Sequence, residues 1–192
     1  VNVVENKNNI SGSGGSGSGG GKPSGTITNP IDAKPSGEDE EGEFVFTDLN
    51  SAEWAAESVV YLYKRGIIAK SDDMKFRPDD KVTRAEFIKM LVMALGCYDK
   101  NAVSEFNDVE ADKWYYPYVS SAYRYGIAAG NETGNYEPDE NISRQDMCAV
   151  VSRALTKMGY TREENAETFA DDEYIAGYAK DVVYMLRNMQ II

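Results

Sequence analysis

The sequence of 192 residues contains no histidine, two cysteines and no long apolar run. The lack of histidine excludes histidine-based general-base and triad chemistry and every histidine-ligated metal site. No apolar run approaches the roughly 18 residues of a membrane-spanning helix, so we expect no membrane insertion. Cys148 falls on an apolar helix position and Cys97 near a helix end. Two such cysteines do not define a redox compartment.

Basic residues are scarce relative to acidic ones. The chain has 20 Lys and Arg against 32 Asp and Glu, which gives a formal net charge of −12 and a sequence pI of about 4.5. It has no basic stripe that would displace counterions from a nucleic acid, and no polybasic patch for an anionic membrane. We therefore expect no nucleic-acid partner and no membrane partner.

The first 43 residues form a predicted flexible linker. Residues 11–21 are almost purely Ser and Gly, prolines follow, and an acidic run begins at Glu38. Such a segment has too little apolar surface to offset the entropy of ordering, so it is either a spacer or an inert disordered terminus. Because the chain begins with Val1 and not with Met, residues 1–4 are a candidate end of an upstream domain.

The rest of the chain repeats with an offset of 60 residues. The equivalent pairs include Phe46/Phe106, Asp48/Asp108, Trp54/Trp114, Gly66/Gly126, Pro78/Pro138 and Arg84/Arg144. A third copy opens at Phe169 and reaches Ile192 about halfway through the unit. The predicted boundaries are residues 44–104 for repeat 1, 105–166 for repeat 2 and 167–192 for a truncated repeat 3.

Each unit is predicted to be helix, loop, helix. The first helix begins near Ala52 or Trp114 and ends before Gly66 or Gly126, which suit a helix C-terminus. The second helix carries apolar residues at a spacing of three to four, so we expect it to bury one face against neighbouring units. These stripes are Phe87, Met90, Leu91, Ala94 and Leu95, and Met147, Val150, Val151, Ala154 and Leu155. Two loop aromatics are expected to plug onto the core, Phe76 and Tyr136.

The second helix of each unit begins with a capping motif and an out-of-place arginine. The N-cap residues and the acids three positions later are Thr83 with Glu86, and Ser143 with Asp146. Arg84 and Arg144 place a cation in the first turn, which the helix dipole disfavours by roughly 0.3–1 kcal/mol. Two such arginines indicate a site in which guanidinium and free helix N–H groups face one anion. The alternative is a surface cation paired with a nearby acid.

Five motifs of the first copy occur in a characteristic order: Phe46-x-Asp48, Trp54-Ala55, Gly66-Ile67-Ile68, Phe76-x-Pro78-Asp79 and Val82-Thr83-Arg84-Ala85-Glu86. The second copy matches with Phe106-x-Asp108-Val109, Trp114, Gly126-Ile127, Tyr136-x-Pro138-Asp139 and Ile142-Ser143-Arg144. From about Phe44 to Ile192 the chain resembles the S-layer homology family. The resemblance implies an all-α fold of three units in a pseudo-threefold helical prism, of which the third unit is incomplete here.

The resemblance also implies a ligand. Grooves between repeats would bind an anionic secondary cell-wall polysaccharide that carries pyruvate-ketal sugars. It makes Arg84 and Arg144 the anion contacts, and the candidate groove residues Asp48, Asp108, Trp54, Trp114, Gly66 and Gly126. The residues alone leave alternatives: the tryptophans also suit core packing, the aspartates suit capping of a helix or loop, and the glycines suit helix ends. The third copy departs from the pattern, with Tyr178 for Trp and Gln190 for Gly.

The linker and the resemblance together imply a non-catalytic anchor that holds an exported protein on the bacterial cell surface, with S-layer neighbours as candidate further partners. No cofactor and no metal is expected, because the acidic loops lack the alternating ligand spacing and central Gly of an EF-hand. The alternative function is a helical-repeat module that binds another protein through the same grooves.

Overall fold

The computed structural model describes residues 46–69, 72–160 and 169–192, and the predicted linker lies outside these ranges. Within them are five α-helices, α1 Glu53–Lys64, α2 Arg84–Ala94, α3 Tyr116–Arg124, α4 Arg144–Lys157 and α5 Gly177–Asn188. Short 3₁₀ turns, Leu49–Ser51 and Asp172–Tyr174, precede α1 and α5. Thr83 and Asn141 form one isolated antiparallel bridge. The described part of the chain is all-α, as predicted, and none of its helices is long and apolar enough to cross a membrane.

The repeats are joined by one kind of helix pairing that occurs twice. Helix α2 packs on α3, and α4 packs on α5, so the second helix of each repeat lies against the first helix of the next. Helix α1 packs on the 3₁₀ turn that precedes it. A prism of repeats requires this kind of pairing, and its closure into a pseudo-threefold arrangement stays a prediction.

The main core lies between repeats 1 and 2. It combines buried residues of α2 and α3 with Val150 and Ala154 from α4. Tyr136 is among the largest fully buried side chains, and Phe76 packs on the smaller cluster around Phe46 in repeat 1. Both loop aromatics therefore plug onto a core, as predicted. A third cluster joins Cys148 to α5.

Helix α2 is less one-sided than its apolar stripe predicts. On α2 the most buried residues are Ala85, Ile88, Val92 and Leu95, and only Leu95 belongs to the predicted stripe. Phe87 and Leu91 pack at the edge of the core, and Met90 faces a groove. The reason is that α2 contacts α3 on one side and the loop of the second repeat on another, so its apolar surface extends around the helix.

The two cysteines are free and buried. Cys97 follows the end of α2, and burial raises the pKa of its thiol to about 11. Cys148 lies on α4 within the cluster that includes α5. Both thiols thus behave as small apolar side chains.

Candidate functional site

Asp48 is a clamp for the loop of its own repeat. Its Oδ1 accepts the N–H of Phe76 at 2.9 Å and its Oδ2 accepts the N–H of Arg77 at 2.7 Å. Arg77 has a φ of 58°, a left-handed conformation that is costly for a side chain with a Cβ. The N–H of Phe76 is the largest cause that lowers the pKa of Asp48, so the carboxylate form is favoured.

The second repeat builds the same clamp. Asp108 accepts the N–H groups of Tyr136 and Glu137 at 2.8 and 2.7 Å, and Glu137 has a φ of 61°. Both aspartates therefore cap a loop, which was the alternative to ligand contact. Each carboxylate oxygen already accepts a short hydrogen bond from the loop. The main role of both aspartates is therefore to fix the conformation of that loop.

Gly66 and Gly126 end the first helices of repeats 1 and 2. Their φ values are 67° and 69°. In each case the next residue, Ile67 or Ile127, donates its N–H back to the last turn of the helix. A Cβ on Gly66 would meet no atom within 4 Å, so the positive φ alone selects glycine there. The glycines shape the start of the loop and, as predicted, terminate the helices.

The capping chemistry of the second helices also agrees with the sequence. The side chain of Thr83 accepts the N–H of Glu86, while the carboxylate of Glu86 accepts the N–H of Thr83, so a complete capping box begins α2. At the start of α4, Ser143 accepts the N–H of Asp146 at 3.2 Å and donates its hydroxyl proton to the Asp146 carboxylate at 2.7 Å.

Arg84 makes its contacts across the boundary between repeats. Its Nε donates to the carbonyl oxygen of Tyr136 at 2.8 Å, and its guanidinium carbon lies 4.9 Å from the centre of the Tyr136 ring. The backbone N–H of Arg84 donates to Glu140 O, and that of Ala85 donates to Pro138 O. The expectation of free helix N–H groups beside this arginine is therefore wrong, because the loop of the second repeat already occupies them.

Arg144, the equivalent residue in repeat 2, has different surroundings. Its side chain is exposed at the first position of α4. Within the described ranges, no carbonyl of another segment accepts the backbone N–H groups of Arg144 and Gln145. Of the two predicted anion contacts, Arg144 is thus the one whose guanidinium remains open to solvent.

The two tryptophans lie on the surface and not in the core. Trp54 is 88% exposed on α1, and Trp114 is 51% exposed just before α3. Core packing, the alternative for both residues, is wrong for Trp54. Trp114 packs on Tyr115 and Tyr118, with ring centres 5.5 and 6.5 Å apart. One side of its ring is therefore supported and the rest is available to a ligand.

Trp114 forms one wall of a groove between repeats 1 and 2, called the first groove here. The groove has a volume of about 510 Å³, and Ile67, Phe76 and Met90 are among the apolar residues that line it. The charged residues along it are Lys75, Arg77, Asp80, Lys81, Glu86 and Lys89. Four cations thus face two carboxylates in one groove of a protein whose formal net charge is −12.

Two of these cations are not neutralised within the described part of the chain. Arg77 forms an ion pair with Asp73 at 2.7 Å and lies 3.9 Å from Asp80. No carboxylate in the described ranges comes within 4 Å of Lys81 or Lys89. The Nζ atom of Lys89 instead lies 5.7 Å from the ring centres of both Trp114 and Tyr118. Sequence reasoning missed these lysines, although the absence of lysine at their equivalents Asn141 and Ala149 was a readable signal.

The family comparison agrees with the repeat and with the geometry. The profile of the family described as "S-layer homology domain" matches residues 45–88 and 105–148. Each matched segment holds one Asp clamp, one glycine helix end and one capped arginine. Both matched segments belong to the S-layer homology family. An S-layer homology domain is a non-catalytic anchoring module, and such domains bind components of the cell wall.

Relatives of this S-layer homology chain include enzymes and surface proteins. It is 34% identical over 149 residues to an amylopullulanase of Thermoanaerobacterium thermosulfurigenes and 32% identical over 174 residues to exoglucanase XynX of Acetivibrio thermocellus. It is 30% identical over 110 residues to the S-layer protein of Bacillus thuringiensis subsp. finitimus. These matches cover 77%, 90% and 57% of this chain.

The same matches cover only a small part of each relative. The chain spans 8%, 15% and 13% of the lengths of these three proteins. The similarity is therefore confined to the S-layer homology region and does not extend to the catalytic parts of the enzymes. The family and its surface-protein relatives indicate the bacterial cell surface or cell wall as the location of this chain.

Proposed function

We propose that this region anchors its parent protein to the cell wall by binding an anionic secondary cell-wall polysaccharide, one that carries pyruvate-ketal sugars, in the first groove. The observation that carries the proposal is that Lys81 and Lys89 line this groove with no carboxylate of the described residues within 4 Å, in a chain of net charge −12. The overall field of such a chain repels an anionic glycan. Binding therefore needs cations at fixed positions in a confined site.

The shape of the groove supports a sugar as the ligand. Trp114 offers a half-exposed ring that Tyr115 and Tyr118 hold in place. Apolar faces of sugar rings pack on such aromatic surfaces, while cations at the rim bind carboxylates. The combination of Trp114 with Lys81 and Lys89 matches a ring that bears a ketal-linked carboxylate.

The predicted arginines enter the proposal differently. Arg144 does not line the first groove, and its exposed guanidinium stays a candidate for a separate anion contact. Arg84 acts by holding the second repeat against α2 through Tyr136, and hence by fixing the position of the repeat that supplies Trp114. Asp48 acts in the same indirect way, because it holds Phe76 and Arg77 along the groove.

The test is sedimentation of the chain with purified cell-wall sacculi. One sample of sacculi is intact, a second has lost its secondary polymer by extraction, and a third retains the polymer but has lost its ketal-linked pyruvate by mild acid. We expect binding to the first sample alone. Equal binding to intact and extracted sacculi would refute the glycan proposal and favour the protein-interaction alternative. Equal binding to the first and third samples would refute only the role of the pyruvate ketal and leave the glycan proposal standing.

A further inference from the structure

The two repeats differ in charge at equivalent positions. In the first groove the charged residues are Lys75, Arg77, Asp80, Lys81, Glu86 and Lys89. The residues 60 positions later are Asn135, Glu137, Glu140, Asn141, Asp146 and Ala149. The second set contains three carboxylates and no cation. The equivalent positions of the two repeats therefore present different charges to a ligand.

The aromatic wall differs as well. The position of Trp114 in repeat 2 corresponds to Tyr178 in repeat 3, at the start of α5. The hydroxyl of Tyr178 donates to Oδ1 of Asp146 at 2.7 Å, and Asp146 is the equivalent of Glu86. This hydrogen bond links the aromatic side chain to a carboxylate of the opposite wall. The equivalent of Lys89, Ala149, is 6% exposed.

In the first groove, by contrast, the residue equivalent to Ala149 is a cation, Lys89, which has no carboxylate partner in the described ranges. Lys89 is partly buried, and its Nζ lies 5.7 Å from the ring centres of both Trp114 and Tyr118, which attract an ammonium group without neutralising it. Lys81 is exposed on the loop that leads to α2. Two amines without carboxylate partners beside a half-exposed indole form a site that favours a carboxylate on a sugar ring.

We propose that the first groove, and not the equivalent surface of the second repeat, selects the carboxylate-bearing glycan, with Lys81 and Lys89 as the residues that determine specificity and Trp114 as the stacking surface. This inference rests on the proposed function, since it names which of the repeated surfaces performs it. Repeat 1 then supplies the two lysines of the groove and repeat 2 supplies its aromatic wall, Trp114.

The test replaces each lysine by the residue that repeat 2 has in its place. The variant is Lys81→Asn with Lys89→Ala, and its charge-matched control is Lys64→Ala with Lys100→Asn, two exposed lysines outside the groove. Titration calorimetry with a pyruvylated fragment of the wall polymer measures the Kd. We expect the groove variant to weaken binding by at least about tenfold and the control by less than about twofold. Retention of binding by Lys81→Arg with Lys89→Arg would show that charge, and not packing, is the cause.

Fluorescence gives a second, site-specific readout because the chain has two tryptophans. In Trp54→Phe the emission comes from Trp114, and in Trp114→Phe it comes from Trp54. We expect the fragment to change the emission of Trp114 and to leave that of Trp54 unchanged, and we expect Arg144→Ala to weaken binding less than the lysine variant does.

Several results would overturn the inference while leaving wall binding intact. They are an equal loss of affinity in the groove variant and the control, a larger loss in Arg144→Ala, or a change confined to Trp54. If the unmodified chain does not sediment with intact sacculi, the proposed function itself fails. The two failures are therefore distinguishable.

Discussion

The Nε of Arg84 donates a hydrogen bond to the carbonyl oxygen of Tyr136 at 2.8 Å, and the hydroxyl of Tyr136 donates to the carbonyl oxygen of Arg84 at 3.3 Å. The two residues are 52 positions apart and belong to different repeats. Tyr136 is 1% exposed, and burial raises the pKa of its hydroxyl to about 12. The helix dipole disfavours a cation at this first-turn position. Contacts of Arg84 with the next repeat thus offset that unfavourable interaction.

We predict that Arg84→Ala destabilises the fold. The change removes the donor to a buried carbonyl oxygen and the cation above the Tyr136 ring, so the free energy of unfolding should fall by about 1–3 kcal/mol. Urea unfolding followed by circular dichroism measures it. Arg144→Ala is the matched control at the equivalent, exposed position, and it should change stability by less than about 0.5 kcal/mol. Equal effects at both positions would contradict the structural role of Arg84.

The Asp108 clamp should also be necessary for stability. Asp108→Ala removes two charge-assisted hydrogen bonds to the loop N–H groups of Tyr136 and Glu137, and a loss of about 2–4 kcal/mol is expected. The control is Asp139→Ala, an exposed carboxylate in the same loop. Thermal unfolding of both variants distinguishes the clamp from a general effect of charge. A control as unstable as the clamp variant would refute this account.

Asp146 gives the chain a component of acid sensitivity. Burial raises the pKa of this carboxyl. Three groups lower it by more than that, namely the hydroxyls of Ser143 and Tyr178 and the charge of Arg84, so the folded pKa lies below 3.8. A depressed pKa stabilises the fold above the unfolded pKa of 3.8 and loses that effect as the pH falls through the folded pKa. The difference in unfolding free energy between the natural chain and Asp146→Asn should therefore shrink as the pH falls from about 5 to about 2. A constant difference would contradict the assignment.

One loop position invites a stabilising change. Met74 has a φ of 60°, and its equivalent in repeat 2 is Gly134, with a φ of 79°. Met74→Gly should raise the free energy of unfolding by about 1 kcal/mol, because glycine adopts this conformation without steric cost. Gly134→Ala should be destabilising, since the added Cβ would lie 2.8 Å from Nδ2 of Asn107. Denaturant midpoints of the two variants should move in opposite directions, and a shift in the same direction would disprove the equivalence.

The sequence predicts the elements that depend on local chemistry. The ends of α1 and α3 follow from Gly66 and Gly126, because a positive φ is a property of one residue. The starts of α2 and α4 follow from Thr83 and Ser143, because an N-cap acts within three residues. Because the units repeat with an offset of 60 residues, each prediction for one unit can be compared with the equivalent residues of the other.

The candidate site is predicted only in part. The inter-repeat location and Trp114 were both expected, and Trp114 does line a groove between repeats. The lysines of that groove were not among the candidates. The resemblance directs attention to residues that the repeats share, whereas Lys81 and Lys89 differ between them.

Tertiary structure alone decided what the shared residues do. The sequence by itself determined that Arg84 begins a helix and that Trp54 and Trp114 are equivalent. It could not determine that the carbonyl oxygen of Tyr136 meets the Arg84 side chain, or that Trp54 is exposed while Trp114 is supported by other rings. These outcomes depend on which helix of one repeat packs on the next. The physical reason is that contacts between segments tens of residues apart are set by the packing of whole helices, which no local pattern encodes.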